Sequence, residues 1–438
     1  MIPKLISVGD RITLRACQTE KFKAGMLSVS LVLPIAREST YLTSLLLSVL
    51  LRGTEKYPSI SALNRRLDYL YGTELSIRNF YRGDAQIIGL AADLVDDAYL
   101  PSDAQGESLL AGALEVIGQI LFHPVLDENG LLDAKYVESE KQLQCDTIRA
   151  QKNNPHAYAA ERCRAYMYEN EPCGVPIYGT EEDVIRVTSE QLTAHWKQLR
   201  ERMHLHCFYV GNTDGTVLQR ALCDAFEKNL KGSGATLPTV VSANSEHRET
   251  RAYEEELPVG QGQLVMGFRS GVNVTDERFY ACTMFNELLG TSPVSKLFMN
   301  VRERLSLCYS CNSVYNIYKG AITVSCGLGN DNREQAQAEV MRQIKAIADG
   351  EITDEEWLAA KKSLENAYRQ LEDSPAALES FYFGRALANV PSTLADCRAR
   401  FDAVTRADVI DVAKRLTCDT VFFLRHTGCG EELADEED

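Results

Sequence analysis

The chain has 438 residues, 45% hydrophobic and 25% charged, the composition of a globular protein with a full core and roughly two to four domains. Glycine and proline stand near background, which excludes collagen-like and disordered chains. Lys and Arg number 46 against 62 Asp and Glu, and the resulting charge of −16 repels phosphate backbones and anionic lipid, so neither nucleic acid nor a membrane is expected as a partner.

Taken in chain order, the start Met1-Ile2-Pro3-Lys4-Leu5 lacks the pattern of a signal peptide. The apolar stretches Met26 to Ala36 and Leu42 to Leu51 fall short of the ~20 residues needed to cross a bilayer, and the second reads as a buried helix. Leu75 to Ala91 alternates as a strand pair broken at Arg82-Gly83-Asp84. A charged helix follows around Glu138 to Ile148, then a polar break, Asn153-Asn154-Pro155, and another helix. Val187-Thr188-Ser189-Glu190-Gln191-Leu192 opens a helix with a Thr cap and leads into the strand Cys207 to Gly211. The stretch 232–256 reads as a linker rich in Gly, Ser, Thr and Glu. Beyond it, Gly260, Gly262 and Gly267 lack the spacing of a nucleotide loop and read as the first strand of a second domain.

The same sequence of signals then returns about 220 residues later. Ser295-Lys296-Leu297 echoes Ser61-Ala62-Leu63, and the strand pair Tyr309 to Gly327, broken at Lys319-Gly320, echoes Leu75 to Ala91. Thr353 to Tyr368 with Asp373-Ser374-Pro375 echoes the charged helix and its break. Val404-Thr405-Arg406-Ala407-Asp408-Val409 leads into Val421 to Leu424. This internal repeat predicts an α+β fold of two similar tandem domains, 1–231 and 257–430, each an antiparallel-rich sheet with helices on one face, facing each other as a clamshell. The acidic end, 431–438, reads as a frayed tail.

The thirteen scattered cysteines, an odd number, point to a reducing, cytoplasmic setting with structural thiols. Cys308 and Cys311 have redox-like spacing but lie in a strand-like segment. His204 and His206 would share one face of a strand beside Cys207, yet spacing supplies no third metal ligand, and a solvent-facing strand explains both.

Several local motifs occur in a fixed order. Ser44-Leu45-Leu46-Leu47-Ser48 precedes Gly53-Thr54-Glu55-Lys56; Leu121-Phe122-His123-Pro124, Glu140-Lys141 and the loop from Pro172-Cys173-Gly174 to Tyr178-Gly179-Thr180 follow. Later comes Arg302-Glu303-Arg304-Leu305-Ser306-Leu307-Cys308-Tyr309. Over nearly the whole chain this order resembles the pitrilysin/insulinase family of zinc peptidases, in particular its processing-peptidase branch of half-length chains. The resemblance implies a helix bearing His-x-x-Glu-His, in which two imidazoles one turn apart hold Zn²⁺ and the Glu takes a proton from the metal-bound water. Here those positions carry Ser44, Leu47 and Ser48, and the third-ligand position falls on Thr147, beside Asp146. Serine is a poor zinc ligand and leucine cannot accept a proton, so no catalytic residue and no metal are expected in this chain.

The resemblance also implies that Arg302 and Tyr309 bind the substrate backbone near the scissile carbonyl, although the glycine of the family pattern is replaced by Ser306. The function expected is a proteolytically inactive, substrate-clamping subunit of a heterodimeric processing-type peptidase. Its peptide substrate would be cut by a homologous partner carrying His-x-x-Glu-His and the zinc. A stand-alone peptide-binding scaffold, a homodimer among its forms, is the alternative, and an active zinc peptidase with a relocated site is a weaker one.

Overall fold

The computed structural model describes residues 2–100, 108–230, 232, 234–243 and 249–428. Residues 233 and 244–248 of the proposed linker, and the acidic end 431–438, lie outside the described residues. Among the described residues no helix is long and apolar enough to cross a membrane.

Two sheets organise the chain. The first is built from β1 (Lys4–Ser7), β2 (Ile12–Gln18), β3 (Ala24–Pro34), β4 (Glu74–Arg82), β5 (Ala85–Val95) and β6 (Leu205–Gly211), in the order β1-β2-β6-β3-β5-β4. The second contains β7 (Arg251–Leu257), β8 (Gly262–Arg269), β9 (Ser310–Asn316), β10 (Ala321–Leu328) and β11 (Thr417–His426), in the order β7-β11-β8-β10-β9. Remove β1 and the two sheets have one topology. Each has a single parallel pair, β2 with β6 and β7 with β11, and is otherwise antiparallel. The α+β duplication read from the sequence is therefore present strand for strand.

Local chemistry explains the echo. Helices Ser189–Arg202 and Arg406–Arg415 each start with a full capping box, Thr188 with Gln191 and Thr405 with Asp408, which satisfies backbone donors at the first turn. Helices Ala134–Ala150 and Asp354–Gln370 are both followed by a short 3₁₀ turn and then by a helix opening on proline, Pro155–Met167 or Pro375–Leu387. The hairpin breaks are tight because Gly83 and Gly320 take positive φ of 56° and 61°.

One strand was not foreseen. β7 lies in the stretch read as linker, so β8, with Gly262 and Gly267, is the second strand of its sheet rather than the first. Its alternation is of exposed and half-buried positions, which leaves little apolar signal at this sheet edge.

The contacts divide the chain into two compact units: Met1–Ile148, Val175–Thr239 and Glu372–Gly384 form one, and Arg149–Gly174, Val240–Leu371 and Arg385–Asp438 the other. Each unit thus incorporates the proline-led helix, or most of it, that follows the long helix of the other half. In the first unit the core lies between Leu14, Leu27, Val29, Leu90 and Cys207 of the sheet and helices Thr40–Leu50, Leu109–Phe122 and Ser189–Arg202. The opposite sheet face carries Ser28 and Arg78, and both bond the buried Glu379, Ser28 at 2.9 Å and Arg78 at 2.9 and 3.1 Å.

In the second unit, Ala159 and Cys163 pack on Val265, Phe422 and Leu424. A Cβ on Gly267 would stand 2.7 Å from the Met167 Sδ, so glycine lets this helix close on β8. The ladder between β11 and β8 skips Asp419, the extra residue of a bulge. Asp419 is buried and accepts from Arg269 Nε at 2.7 Å and Arg251 Nη2 at 3.2 Å. Arg269, also buried, donates to Glu171 at 3.0 Å and the Met167 carbonyl at 2.8 Å, while buried Lys319 pairs with Glu171 at 2.7 Å.

Candidate functional site

Helix Thr40–Leu50 holds the positions where the resemblance would put zinc. Its sequence is apolar on nearly every side, so Leu45, Leu46, Leu47, Val49 and Leu50 are buried and Leu47 belongs to the core. Ser44 is buried too, and its hydroxyl is saturated. A hydroxyl has one proton and two acceptor sites. The proton points to the Ile177 carbonyl at 2.7 Å, with Thr40 O further off at 3.1 Å; Asn79 Nδ2 and Gln86 Nε2 donate to the oxygen from 2.9 and 3.2 Å. Gln86 also donates to Asn79 Oδ1 at 2.9 Å, which closes a neutral network where an imidazole would have faced a metal.

Ser48 is half-buried on the same helix. On helix Ala134–Ala150, Thr147 is exposed and its hydroxyl donates back to the Leu143 carbonyl at 2.8 Å. One turn earlier the buried Gln144 donates to the carbonyls of Tyr178 and Tyr41, and Glu140 pairs with Arg52. The donor set at the expected positions thus lacks any imidazole or carboxylate except Asp146, which is exposed. These residues do not fit zinc. Asn79 and Gln86 were not singled out from the sequence, although two amides flanking one hairpin turn in an apolar pair of strands are a readable signal of a buried polar contact.

His204 and His206 do share a face, with ring centroids 4.8 Å apart. That face is not open to solvent as the sequence reading supposed: His206 is 5% exposed, and the Phe383 ring lies 6.4 Å away. With His195 and Arg202 they line a cavity of about 370 Å³. Burial, the neighbouring His204 and the charge of Arg15 push the His206 imidazole down to about 3, so it is neutral at pH 7. Among the described residues no group of three or more His, Cys, Asp or Glu is placed to hold a metal ion.

Arg302 and Tyr309 belong to the second unit. A π-helical turn, Phe298–Arg304, carries Arg302, whose guanidinium lies 4.6 Å from the Phe298 ring and 3.5 Å from Glu303. Tyr309 is 73% exposed and directly precedes β9, the edge strand of its sheet. Between them Ser306 has φ +50°, with its N–H on the Arg302 carbonyl and that of Leu307 on the Val301 carbonyl. Each bond spans one residue more than in a Schellman closure, in keeping with the π-helical turn, and Ser306 holds a left-handed position, where glycine fits without strain. Ser306→Gly is expected to keep the fold and raise stability by about 1 kcal/mol, read as an increase in Tm; a fall in Tm would contradict the assignment.

Residues 186–364 match the family model described as Peptidase M16 inactive domain. The probable inactive metalloprotease YmfF of Bacillus subtilis (strain 168) is 29% identical over 427 residues, which cover 97% of this chain and 98% of that one. The chain is thus similar to M16 peptidase-like proteins of the inactive type. M16 is the pitrilysin and insulinase group of the sequence resemblance; the matched segment lies outside helix Thr40–Leu50, which the full-length likeness to YmfF does span. An uncharacterized zinc protease of the same bacterium, YmxG, is 26% identical over 267 residues, 60% of each chain. The crystal structure of a conserved protein from Enterococcus faecalis V583 superposes with a TM-score of 0.89 over 97% of this chain and 99% of its own; at 24% identity it bears on the fold alone.

Proposed function

We propose that this chain is the non-catalytic, substrate-clamping subunit of a two-chain M16 peptidase. The partner, a homologous chain with His-x-x-Glu-His, supplies the zinc and the general base, and this chain supplies Arg302 and Tyr309. The observation that carries the reading is a contrast within one molecule. The zinc positions are taken up by a leucine core and a saturated serine, whereas the Arg302–Tyr309 segment presents a guanidinium and a phenol at the surface beside an edge strand. Both groups donate hydrogen bonds to a peptide carbonyl or developing oxyanion, and an edge strand offers backbone groups to an extended peptide. The Bacillus relatives support the pairing, since one bacterium holds both an inactive and a zinc-protease relative of this chain. The acidic charge favours basic peptides, in a cytoplasmic setting.

The test is reconstitution with the chain's His-x-x-Glu-His relative from its own organism. Arg302→Ala or Tyr309→Phe should lower turnover of the pair by about 10²–10³ with assembly intact, the typical cost of losing one transition-state donor. Arg302→Lys should rescue poorly, because an ammonium lacks the guanidinium fork. Full turnover in both variants, or no association with the relative, would leave the stand-alone scaffold reading instead.

A further inference from the structure

The second sheet and the segment leading into β9 bring three buried thiols together. Cys311 on β9 and Cys326 on β10 are directly opposed in the antiparallel ladder, with sulfurs 2.9 Å apart. Cys308, two residues before β9, completes the group; its sulfur accepts hydrogen bonds from both thiols and feels the charge of Arg302. All three are 7% exposed or less, but Cys308 and Cys311 keep a little surface, at 7% and 6%.

Their environment differs from that of the other thiols. Burial pushes Cys17 and Cys163 up to about 12 and Cys282 and Cys418 up to about 11, which makes them poor nucleophiles. Cys308 moves the other way: thiol hydrogen bonds from Cys311 and Cys326, helped by Arg302, outweigh its burial and lower it to about 4. Opposed positions in an antiparallel ladder have Cα atoms about 4.5–5.5 Å apart, within the range that a disulfide spans.

We propose that Cys308, Cys311 and Cys326 form an oxidant-sensitive thiol site, in which hydrogen peroxide converts Cys311 and Cys326 to a cross-strand disulfide by way of Cys308. The Cys308 thiolate attacks one peroxide oxygen and the O–O bond breaks, leaving a sulfenic acid and a hydroxide that takes up a proton to become water. Cys311 sulfur, giving up its proton, attacks the sulfenic sulfur and expels a second water. The Cys326 thiol, whose proton is the one taken up by the hydroxide of the first step, then attacks Cys311 and releases Cys308 as thiolate. The net change is two thiols and one peroxide to one disulfide and two waters. Although Cys308 lies within the Arg302–Tyr309 segment, no partner chain is needed, so the chemistry can be tested on this chain alone.

The test is a tryptic map of the full folded chain after stoichiometric peroxide and alkylation of the remaining thiols. Cleavage after Arg304, Lys319 and Arg333 leaves Cys308 and Cys311 in peptide 305–319 and Cys326 in peptide 320–333. The expected product joins these two peptides through Cys311 and Cys326, leaves Cys308 alkylated, and is released by dithiothreitol. Cys308→Ser should slow its formation at least tenfold while the disulfide itself still forms. Recovery of both peptides fully alkylated, or an unchanged rate in Cys308→Ser, would overturn the proposal. The wild-type map decides the first point whether or not a variant folds.

Discussion

Asp419→Ala is expected to destabilise the protein by about 3–5 kcal/mol, the usual cost of leaving a buried charge without its partner. Asp419 and Arg269 are each 2% exposed and 2.7 Å apart, so removing the carboxylate leaves the Arg269 Nε buried without an acceptor and Glu171 as the guanidinium's remaining carboxylate. Burial raises the Asp419 carboxyl, but hydrogen bonds from Thr420, Arg269 and Arg251 and the charge of Arg269 overcome it and hold the group below its ordinary range. The ionised pair is therefore the folded form at neutral pH. The loss should appear as a lower urea midpoint. Replacing both partners, Asp419→Leu with Arg269→Met, should recover much of it, since no orphaned charge remains. A single-variant loss under 1 kcal/mol would show that water reaches Arg269 and that the bulge at Asp419 is not closed.

Acidification should destabilise the protein through His206, by about 2 kcal/mol between pH 7 and pH 5. The folded imidazole is held down to about 3, while in the unfolded chain it titrates at its ordinary value near 6.5. As pH falls through 6.5 the unfolded state takes up a proton and the folded state does not, so stability is full above that value. It then drops by about 1.4 kcal/mol per unit until the folded group also protonates. None of the groups facing His206 favours its protonation: Thr13 and Ser30 on the adjacent strands carry no charge, the Phe383 ring lies 6.4 Å away, and His204 and the Arg15 charge both push it down. Urea midpoints across pH 5–7 should fall more steeply for the wild type than for His206→Phe. Parallel curves would mean that His206 is as accessible to protons folded as unfolded.

Much of the fold was legible because local chemistry is repeated. Helix Ala134–Ala150 returns as Asp354–Gln370, and Pro155 returns as Pro375, both shifted by 220 residues; caps such as Thr188 and Thr405 announce themselves by side chains three residues apart. What escaped depends on tertiary contacts. Nothing within Pro155–Met167 or Pro375–Leu387 says which sheet each helix will join, because that is decided by Arg269, Glu171, Ser28 and Arg78, far away in sequence. β7 was hidden by its half-exposed alternation, and the bulge at Asp419 by having no composition of its own.

The candidate site divides in the same way. Ser44, Leu47, Ser48 and Thr147 were placed by counting from Gly53 and Glu140, and the helix is apolar as expected. The amides that saturate Ser44 come from β4 and β5, a pairing set by register rather than by sequence. Cys326 was likewise missed because it meets Cys311 only across a ladder. Ser306 was noticed as a missing glycine; its positive φ gives that absence a physical meaning.

The most direct test of the central claim is a zinc and peptidase assay on the purified chain alone. After equilibration with Zn²⁺ and desalting, elemental analysis should find well under one zinc per chain, and unstructured peptides should remain uncut. Ser44→His, Leu47→Glu and Ser48→His together should not restore cleavage, because Thr147 still lacks a ligating carboxylate and Asn79 and Gln86 occupy the space beside position 44. One zinc per wild-type chain, removed by a chelator together with peptide cleavage, would contradict the account.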